Sequence, residues 1–213
     1  MTTQSNKTEP KKAQSKSKYH HGNLREDLIL ASVNIINQEG IDGLSLRKLA
    51  EQLGVSRMAP YHHFKDKNAL LAAVALQGFE RLSVLLNGVF KEDIPLIEQL
   101  RKAVKDYLRF AIEHPTQYDL MFGSKLWNGD QFEDFQRQAK DCFRLYVTLF
   151  EQLKSQKLLS DNEDPLRLSQ LLWATLHGLA KLTEEGLFSM ANSLDDITDY
   201  ALKRFEDSLT ITA

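Results

Sequence analysis

The sequence predicts an all-α protein with an N-terminal three-helix helix-turn-helix domain and a larger helical domain behind it. Apolar residues recur at i, i+3, i+4 and i+7 along most of the chain, and no convincing strand alternation is present. Serine, aspartate, proline and glycine stand where helices are expected to begin and end. The 213 residues are 42% hydrophobic and 26% charged, the usual balance of a soluble protein with a buried core.

Charge and composition narrow the function further. Residues 1–68 carry a net charge of +4 and residues 69–213 one of -6, so the first part of the chain is the better match for a polyanion. The longest apolar run, Ala69–Leu76, is far shorter than the roughly 20 residues of a membrane-spanning helix. A single cysteine, Cys142, excludes an internal disulfide framework. We therefore expect a cytoplasmic protein without membrane contact.

The chain begins with a basic tail and a first helix. Residues 1–22 hold five lysines and one acid, which predicts a disordered segment. This tail is either a solubility segment or an arm that reaches a polyanion such as DNA, and the sequence leaves both open. The first helix is expected after Asn23, an N-cap candidate with Glu26 three residues later. Gly40 ends this helix, and Gly43 follows in the turn.

Two short helices joined by a glycine turn come next. Ser45 can cap the first one and Gly54 can end it, while Ser56 can cap the second, which is predicted over Arg57–Phe64. The apolar residues of the first short helix share one face: Leu46, Leu49, Ala50 and Leu53. This order of elements is the geometry of a helix-turn-helix, whose second helix lies in the DNA major groove.

The side chains expected to be exposed on the second short helix suit DNA. Arg57 can donate to O6 and N7 of guanine, and Met58 and Ala59 can pack on thymine methyl groups. Tyr61 and His63 can donate to phosphates. The predicted DNA-binding residues are Ser45, Arg47, Ser56, Arg57, Met58, Ala59, Tyr61, His62, His63 and Lys67. The sequence therefore predicts double-stranded DNA as a partner.

Three segments, Ser45–Arg57, Tyr61–Lys67 and Ala69–Leu71, resemble the DNA-binding domain of the TetR family of bacterial transcriptional regulators. The resemblance implies base reading by Arg47, Arg57 and Met58, and phosphate binding by Tyr61, His63 and Lys67. The segment Met58–Pro60 departs from what many members carry, which leaves the operator sequence open. We assign residues 23–83 to this domain and residues 84–213 to a second one.

A long helix from Asp66 to about Phe90 leads into the second domain. The helices predicted after it are Pro95–Glu113, Thr116–Phe122, Gln131–Lys157, Pro165–Gly186 and Ser193–Leu209. Trp173–Gly178 resembles the Trp-x-x-x-His-Gly signature of one TetR C-terminal subtype, and His114–Phe122 also fits that subtype. The resemblance implies a homodimer formed by the last two helices and an effector pocket among the others. Leu171 and Leu182 belong to the apolar stripe of the first of these helices, and Leu202 and Phe205 to that of the second. Part of each stripe must face its own domain, so only some of these residues can touch the partner.

A set of mostly aromatic residues marks where such a pocket would lie. The candidates are Phe110, Tyr118, Met121, Phe122, Trp127, Phe143, Tyr146, Trp173 and His177. Nearly all are apolar, so the expected effector is small and lipophilic, and His177 would fix its orientation. These residues can equally form an ordinary core, with His177 hydrogen-bonded inside it and Gly178 allowing another helix to approach. The sequence leaves both interpretations open.

Two functions follow from these patterns. The first is a ligand-responsive transcriptional repressor that binds a palindromic operator as a homodimer. The alternative is a DNA-bound interaction or structural protein whose helical domain recruits a protein partner, and its mark would be a filled core with an exposed apolar patch. No nucleophile elbow, P-loop, dinucleotide motif or metal-ligand spacing is visible, so we expect no enzymatic activity, cofactor or metal.

Overall fold

The computed structural model describes residues 23–123, 133–187 and 194–207 of the chain. Within these ranges the fold is all-α, as predicted, and no strand is present. The α-helices, in chain order, are α1 (Leu24–Glu39), α2 (Leu46–Gln52), α3 (Lys67–Val89), α4 (Leu96–Glu113), α5 (Pro115–Phe122), α6 (Glu133–Ser155), α7 (Pro165–Glu184) and α8 (Leu194–Glu206). Two short 3₁₀ helices, Ile41–Gly43 and Ala59–His62, precede α2 and α3 respectively.

Most helix ends follow the capping residues predicted from the sequence. The Ser45 hydroxyl oxygen accepts a bond from the backbone N–H three residues later at 3.2 Å, and an oxygen of Asp66 does the same at 2.8 Å. Gly40 ends α1 with a φ of 74°, a conformation that favours glycine. Asn23 takes the N-cap position of α1, but its side chain makes no capping bond, so the predicted capping box is wrong.

Helix α3 is the centre of the fold. Its residues Leu70–Ala75 are buried, as are Phe79, Leu82 and Leu86 farther along. Helices α1, α4, α5 and α6 all pack against it, so the helix-turn-helix region and the larger domain share one continuous hydrophobic core. Helix α3 is long and apolar enough to cross a membrane, but 56% of that stretch is buried inside the fold, as expected for a core helix.

Helix α8 packs apolar residues against the core of its own chain. Leu202 is 4% exposed and belongs to the chain's own core, and Phe205 packs against that core. Arg101 on α4 fixes α8 in place through two bonds to the Glu206 carboxylate, 2.6 and 2.7 Å long. Leu202 therefore belongs to the part of the apolar stripe that faces its own domain.

Helix α7 leaves part of its apolar stripe exposed. Leu171 and Leu182 are 58% and 36% exposed, although both stand on the predicted apolar stripe of this helix. No neighbouring atom lies within 4 Å of a Cβ built at Gly178, so no other helix of the described chain approaches there. An apolar strip on α7 is thus left open to solvent.

Candidate functional site

The segment predicted as a recognition helix forms a turn followed by the second 3₁₀ helix, so the α-helix expected over Arg57–Phe64 is wrong. Pro60 explains the difference, because it has no N–H to donate and it disfavours α-helical backbone at the preceding Ala59. The Ala59 N–H instead bonds the carbonyl of Ser56, three residues earlier, at 3.0 Å. We call residues 56–63 the recognition turn.

Buried contacts on both sides hold the recognition turn. Pro60 is buried within it, and Phe64, directly after it, is 4% exposed. The Ser56 hydroxyl oxygen accepts a bond from the Ala59 N–H at 3.2 Å. Gly54 reverses the chain after α2 with a φ of 65°, which a side chain would strain. The turn is therefore a fixed platform for its exposed side chains.

These exposed side chains are Arg57, Met58, Tyr61, His62 and His63. Met58 is 62% and Tyr61 40% exposed, so both side chains are accessible to a partner. Ala59 is half-buried and offers less of its methyl group than we expected. The recognition turn thus combines a cation, hydrogen-bond donors and one apolar side chain on a single surface.

Among the described residues, the cations in and next to the recognition turn include two without an ion pair and one that is held by a hydrogen bond. Arg47 on α2 and Arg57 have no ion pair among the described residues. Lys67, the first residue of α3, donates its ammonium hydrogen to the carbonyl of Ile41 and so ties α3 to the first 3₁₀ helix. This bond could not be predicted from the sequence, because it joins residues 26 positions apart.

The sequence analysis also missed Arg25 on α1. Its guanidinium carbon lies 5.5 Å from the centre of the Phe64 ring, which places a further cation next to the recognition turn. No spacing rule predicts this position, because it depends on how α1 crosses the short helical segments.

A second group of functional candidates crosses the core of the larger domain. The indole N–H of Trp173 donates to the hydroxyl of Tyr107 at 3.1 Å. The hydroxyls of Tyr107 and Tyr118 are 2.9 Å apart, and the Tyr118 hydroxyl lies 2.7 Å from Nδ1 of His177. We call these four residues the hydroxyl chain. They join α4, α5 and α7.

Burial determines the protonation of the hydroxyl chain. Tyr107 is 1% exposed, and burial raises its pKa well above the usual value of 10.0. His177 is half-buried, and its pKa is lowered from 6.5 by burial first and by the charge of Lys181 second. At neutral pH the hydroxyl chain is therefore uncharged.

An enclosed space of about 10 Å³ lies beside the hydroxyl chain, room for no more than one water molecule. Its lining residues are Phe79, Leu82, Tyr107, Phe122, Ala139, Cys142, Phe143, Tyr146 and Trp173. Burial raises the pKa of the Cys142 thiol to about 11, so the thiol stays protonated among these apolar groups. In the described part of the chain, this aromatic core is nearly filled.

The predicted pocket residues fall into three groups. Phe122, Phe143, Tyr146 and Trp173 line the enclosed space, and Tyr118 and His177 adjoin it through the hydroxyl chain. Phe110 lies beside His114 with ring centres 5.1 Å apart, and Met121 is buried beside Gly78. Neither residue borders the enclosed space. Trp127 lies outside the described residues.

Two residues at the centre of this core were missed. Tyr107 stands three positions before Phe110 on the buried side of α4, so helical spacing could have found it. Phe79 belongs to α3, which the sequence analysis assigned mostly to DNA binding. Its ring lies 5.5 Å from that of Phe122 and 5.6 Å from that of Phe135. Helix α3 therefore contributes directly to the aromatic core.

Helix α5 contacts both candidate regions. Its Thr116 hydroxyl donates to the side-chain oxygen of Asn37 on α1, next to the helix-turn-helix. Its Asp119 forms an ion pair with Lys181 on α7. Tyr118 lies between these two contacts and belongs to the hydroxyl chain. One short helix thus connects α1 with the aromatic core.

Two short helical segments joined by a glycine turn, with cationic and aromatic side chains exposed on the second, define a helix-turn-helix DNA-binding protein. The family model described as "Bacterial regulatory proteins, tetR family" matches residues 28–74. A second model, "Tetracyclin repressor-like, C-terminal domain", matches residues 100–205. The chain belongs to the TetR family of bacterial transcriptional regulators.

Individual relatives resemble different parts of the chain. The tetracycline repressor protein class A from transposon 1721 of Escherichia coli is 52% identical over 48 residues, 22% of each chain. The nucleoid occlusion factor SlmA of Vibrio vulnificus is 27% identical over 158 residues, 73% of this chain and 79% of SlmA. The match spans only about a quarter of the length of these tetracycline repressors.

One solved structure resembles nearly the whole chain. It is a protein of unknown function from Rhodococcus sp. RHA1, with a TM-score of 0.81 and 29% sequence identity. The match covers 91% of this chain and 99% of the Rhodococcus protein. The arrangement of both helical regions is thus shared with a protein of similar size.

Proposed function

We propose that the protein is a ligand-responsive transcriptional repressor that binds a palindromic operator as a homodimer in the bacterial cytoplasm. One observation carries this proposal: a single helix, α3, serves both candidate regions. It begins at Lys67, directly after the recognition turn, and its residues Phe79 and Leu82 line the aromatic core. A ligand that enlarges this core displaces α3, and with it the recognition turn.

The spacing of DNA half-sites makes such a displacement effective. Half-sites lie about 34 Å apart on one face of the duplex, so both recognition turns of a dimer must keep a fixed separation. Ser45 and Ser56 accept capping bonds through their oxygens, and each hydroxyl hydrogen remains available for a phosphate. Arg47 and Arg57 are exposed and carry the charge that base reading requires.

Two variants test the DNA contacts. Arg57→Ala should weaken specific binding by about 1–3 kcal/mol and relax the preference at one base position. Lys67→Ala should weaken binding to all sequences alike and reduce the salt dependence by about one phosphate contact. Fluorescence anisotropy with DNA flanking the gene, at several salt concentrations, measures both effects. Circular dichroism checks that loss of the Lys67–Ile41 bond leaves the fold intact. A base-specific effect of Lys67→Ala alone would contradict the proposed roles.

The proposed dimer face lies on α7. Leu171, Thr175, Gly178 and Leu182 share one side of this helix by their spacing. Leu171 and Leu182 are exposed, and the space beyond Gly178 is open. An exposed apolar strip of this kind is stabilised by a symmetry-related copy of itself, as in most homodimers.

Sedimentation velocity of charged variants tests this face. Leu171→Glu should yield folded monomers. Leu166→Glu is the matched control, because Leu166 is 42% exposed on the same helix but lies off the strip. Leu202→Glu should unfold the protein, because Leu202 is buried within its own chain. A dimer that survives Leu171→Glu but not Leu166→Glu would place the interface elsewhere.

A second function is favoured by the filled aromatic core. A space of about 10 Å³ admits a lipophilic ligand only after rearrangement, whereas recruitment of a protein partner needs no cavity. The likeness to the nucleoid occlusion factor SlmA extends over 73% of this chain, well beyond the helix-turn-helix. Val84 on α3 is 73% exposed and could contribute to an apolar contact surface away from α7.

One pair of measurements separates the two functions. A ligand that binds in the core raises the melting temperature. It also lowers operator affinity by the same factor by which the operator lowers ligand affinity. A recruited protein instead binds the operator-bound dimer and is lost in the Val84→Glu variant. If a ligand releases the operator and Val84→Glu keeps its activity, the results support the repressor. If no ligand releases the operator and Val84→Glu loses its protein partner, they support the recruiting protein.

A further inference from the structure

The hydroxyl chain has only one possible direction. The indole nitrogen of Trp173 can only donate, so the hydroxyl oxygen of Tyr107 accepts from it. Among the described residues, the hydroxyl hydrogen of Tyr107 reaches one acceptor, the oxygen of Tyr118 at 2.9 Å. Tyr118 therefore donates its own hydrogen to Nδ1 of His177. The reverse direction would leave the hydrogen of Tyr107 buried without an acceptor, which is unfavourable.

This direction fixes the tautomer of His177. Because Nδ1 accepts a hydrogen bond, the neutral ring carries its hydrogen on Nε2. Burial and the nearby charge of Lys181 both disfavour the charged ring, which agrees with this assignment. Among the described residues, Nε2–H of His177 is the one polar hydrogen of these four side chains that is not donated to another member of the hydroxyl chain.

One aromatic ring separates His177 from the enclosed space. The ring centre of Phe122 lies 4.7 Å from that of His177 and 5.7 Å from that of Trp173, and Phe122 also lines the space. Phe122 is half-buried and is the last residue of α5, whereas the other aromatic lining residues stand inside longer helices. Displacing this one ring would join the enclosed space to the edge of His177.

We propose that the effector binds in place of the Phe122 ring and presents a hydrogen-bond acceptor to Nε2–H of His177. The effector class is a flat, ring-sized apolar body with one carbonyl or carboxylate oxygen. This proposal deepens the ligand-responsive function and rests on it. An ammonium group in the same place offers only donors, so Nε2–H would be left without an acceptor. The site should therefore bind ligands with a hydrogen-bond acceptor more tightly than cationic ligands.

The Phe122→Ala variant tests this selectivity by vacating the ring site. Three probes share one ring: acetophenone carries a carbonyl acceptor, ethylbenzene has no polar group, and 1-phenylethylamine is a cation. Dissociation constants are measured on the full-length variant through the fluorescence of its tryptophans. Acetophenone should bind about threefold to tenfold more tightly than ethylbenzene, the usual worth of one hydrogen bond. The amine should bind most weakly, and wild-type protein should bind each probe less tightly than the variant.

Two further variants separate the role of His177 from general packing. Combining Phe122→Ala with His177→Leu should abolish the preference for acetophenone over ethylbenzene. Combining it with Tyr118→Phe keeps the ring of residue 118 but frees the tautomer of His177, so the preference should fall. Nitrogen NMR of the wild-type imidazole should show hydrogen on Nε2, and Tyr118→Phe should give a mixture of tautomers.

Several outcomes would overturn the proposal. Equal affinity for acetophenone and ethylbenzene in Phe122→Ala would do so, as would an Nδ1–H tautomer in the wild-type protein. If Phe122→Ala fails to fold, Phe122→Leu and the wild-type NMR measurement carry the test. Operator affinity is measured separately. Selective acetophenone binding without operator release would contradict the ligand-responsive function alone, whereas operator release without acceptor preference would contradict this inference alone.

Discussion

The recognition turn and the aromatic core are held together by different kinds of contact. In the recognition turn, the capping bond of Ser56 reaches an N–H three residues away. In the aromatic core, the bond from Trp173 to Tyr107 joins residues 66 positions apart, and that from Tyr118 to His177 joins residues 59 apart. The first region is organised locally in the sequence, and the second depends on how three helices cross.

This difference separates binding from stability. The recognition turn works through side chains that are exposed and therefore contribute little to the folding free energy. The aromatic core consists of buried and half-buried side chains, so under the proposed function they contribute to stability and ligand response together. Substitutions in the two regions should have opposite signatures.

The largest expected contrast is between two tyrosines. Tyr146 is 2% exposed and its hydroxyl lies 3.4 Å from the carbonyl of Ala103. Tyr146→Ala should lower the free energy of unfolding by about 3–5 kcal/mol, because it leaves a cavity in a packed core. Tyr61→Ala should change it by no more than about 0.5 kcal/mol while weakening DNA binding. Urea denaturation and anisotropy measure the two effects. Similar losses of unfolding free energy in both variants would contradict the expected difference between the two regions.

A smaller effect distinguishes two glycines of α3. A Cβ at Gly78 would lie 2.5 Å from the sulfur of the buried Met121, whereas a Cβ at Gly88 meets nothing within 4 Å. Gly88→Ala should stabilise the protein by up to about 1 kcal/mol through helix propensity. Gly78→Ala should be less stable than Gly88→Ala by about 1–3 kcal/mol, because Met121 must move.

The Gly78→Ala variant also links the two regions. Moving Met121 shifts α5 relative to α3, so operator affinity should fall in Gly78→Ala and stay unchanged in Gly88→Ala. Thermal denaturation and anisotropy on the two variants side by side provide the check. Equal operator affinity would show that the packing of α5 on α3 does not reach the recognition turn.

The smallest expected effect concerns pH. The pKa of His177 is lowered from 6.5 in the folded state, so the unfolded state binds a proton at a pH where the folded state does not. This contribution to stability is fully present above pH 6.5 and is lost as the pH falls toward the lowered pKa of the folded state. His177→Gln should flatten this part of the stability profile, whereas Tyr61→Ala should keep the wild-type slope. An unchanged slope in His177→Gln would exclude this titration.

The sequence predicted the locally organised features well. Ser45, Asp66, Gly40 and Gly54 act at the helix ends where they were expected, because capping and positive φ are properties of a few neighbouring residues. The recognition turn was predicted as an α-helix because the pattern of exposed residues suited one. The effect of Pro60 on the preceding backbone outweighed that pattern.

The aromatic core was only partly predictable. Aromatic spacing identified Phe122, Trp173 and His177 as neighbours, because each stands on a predicted helix. Tyr107 was not included, although its spacing from Phe110 could have found it. Phe79 was not included because its place depends on which faces of α3 and α5 meet. The size of the enclosed space could not be predicted at all, because packing density is decided by side chains from five helices together.

The 3₁₀ geometry that Pro60 imposes also bears on how the protein can evolve. A 3₁₀ helix has three residues per turn, so side chains three positions apart stand directly above one another. Met58 is then aligned with Tyr61, and Ala59 with His62, in two parallel rows rather than around a cylinder. Under the proposed function, a mutation in one row would change the bases that this row meets, while the other row would keep its position on the duplex. New operator sequences are therefore reachable by single substitutions that preserve the docking of the turn, provided that Pro60 itself is retained.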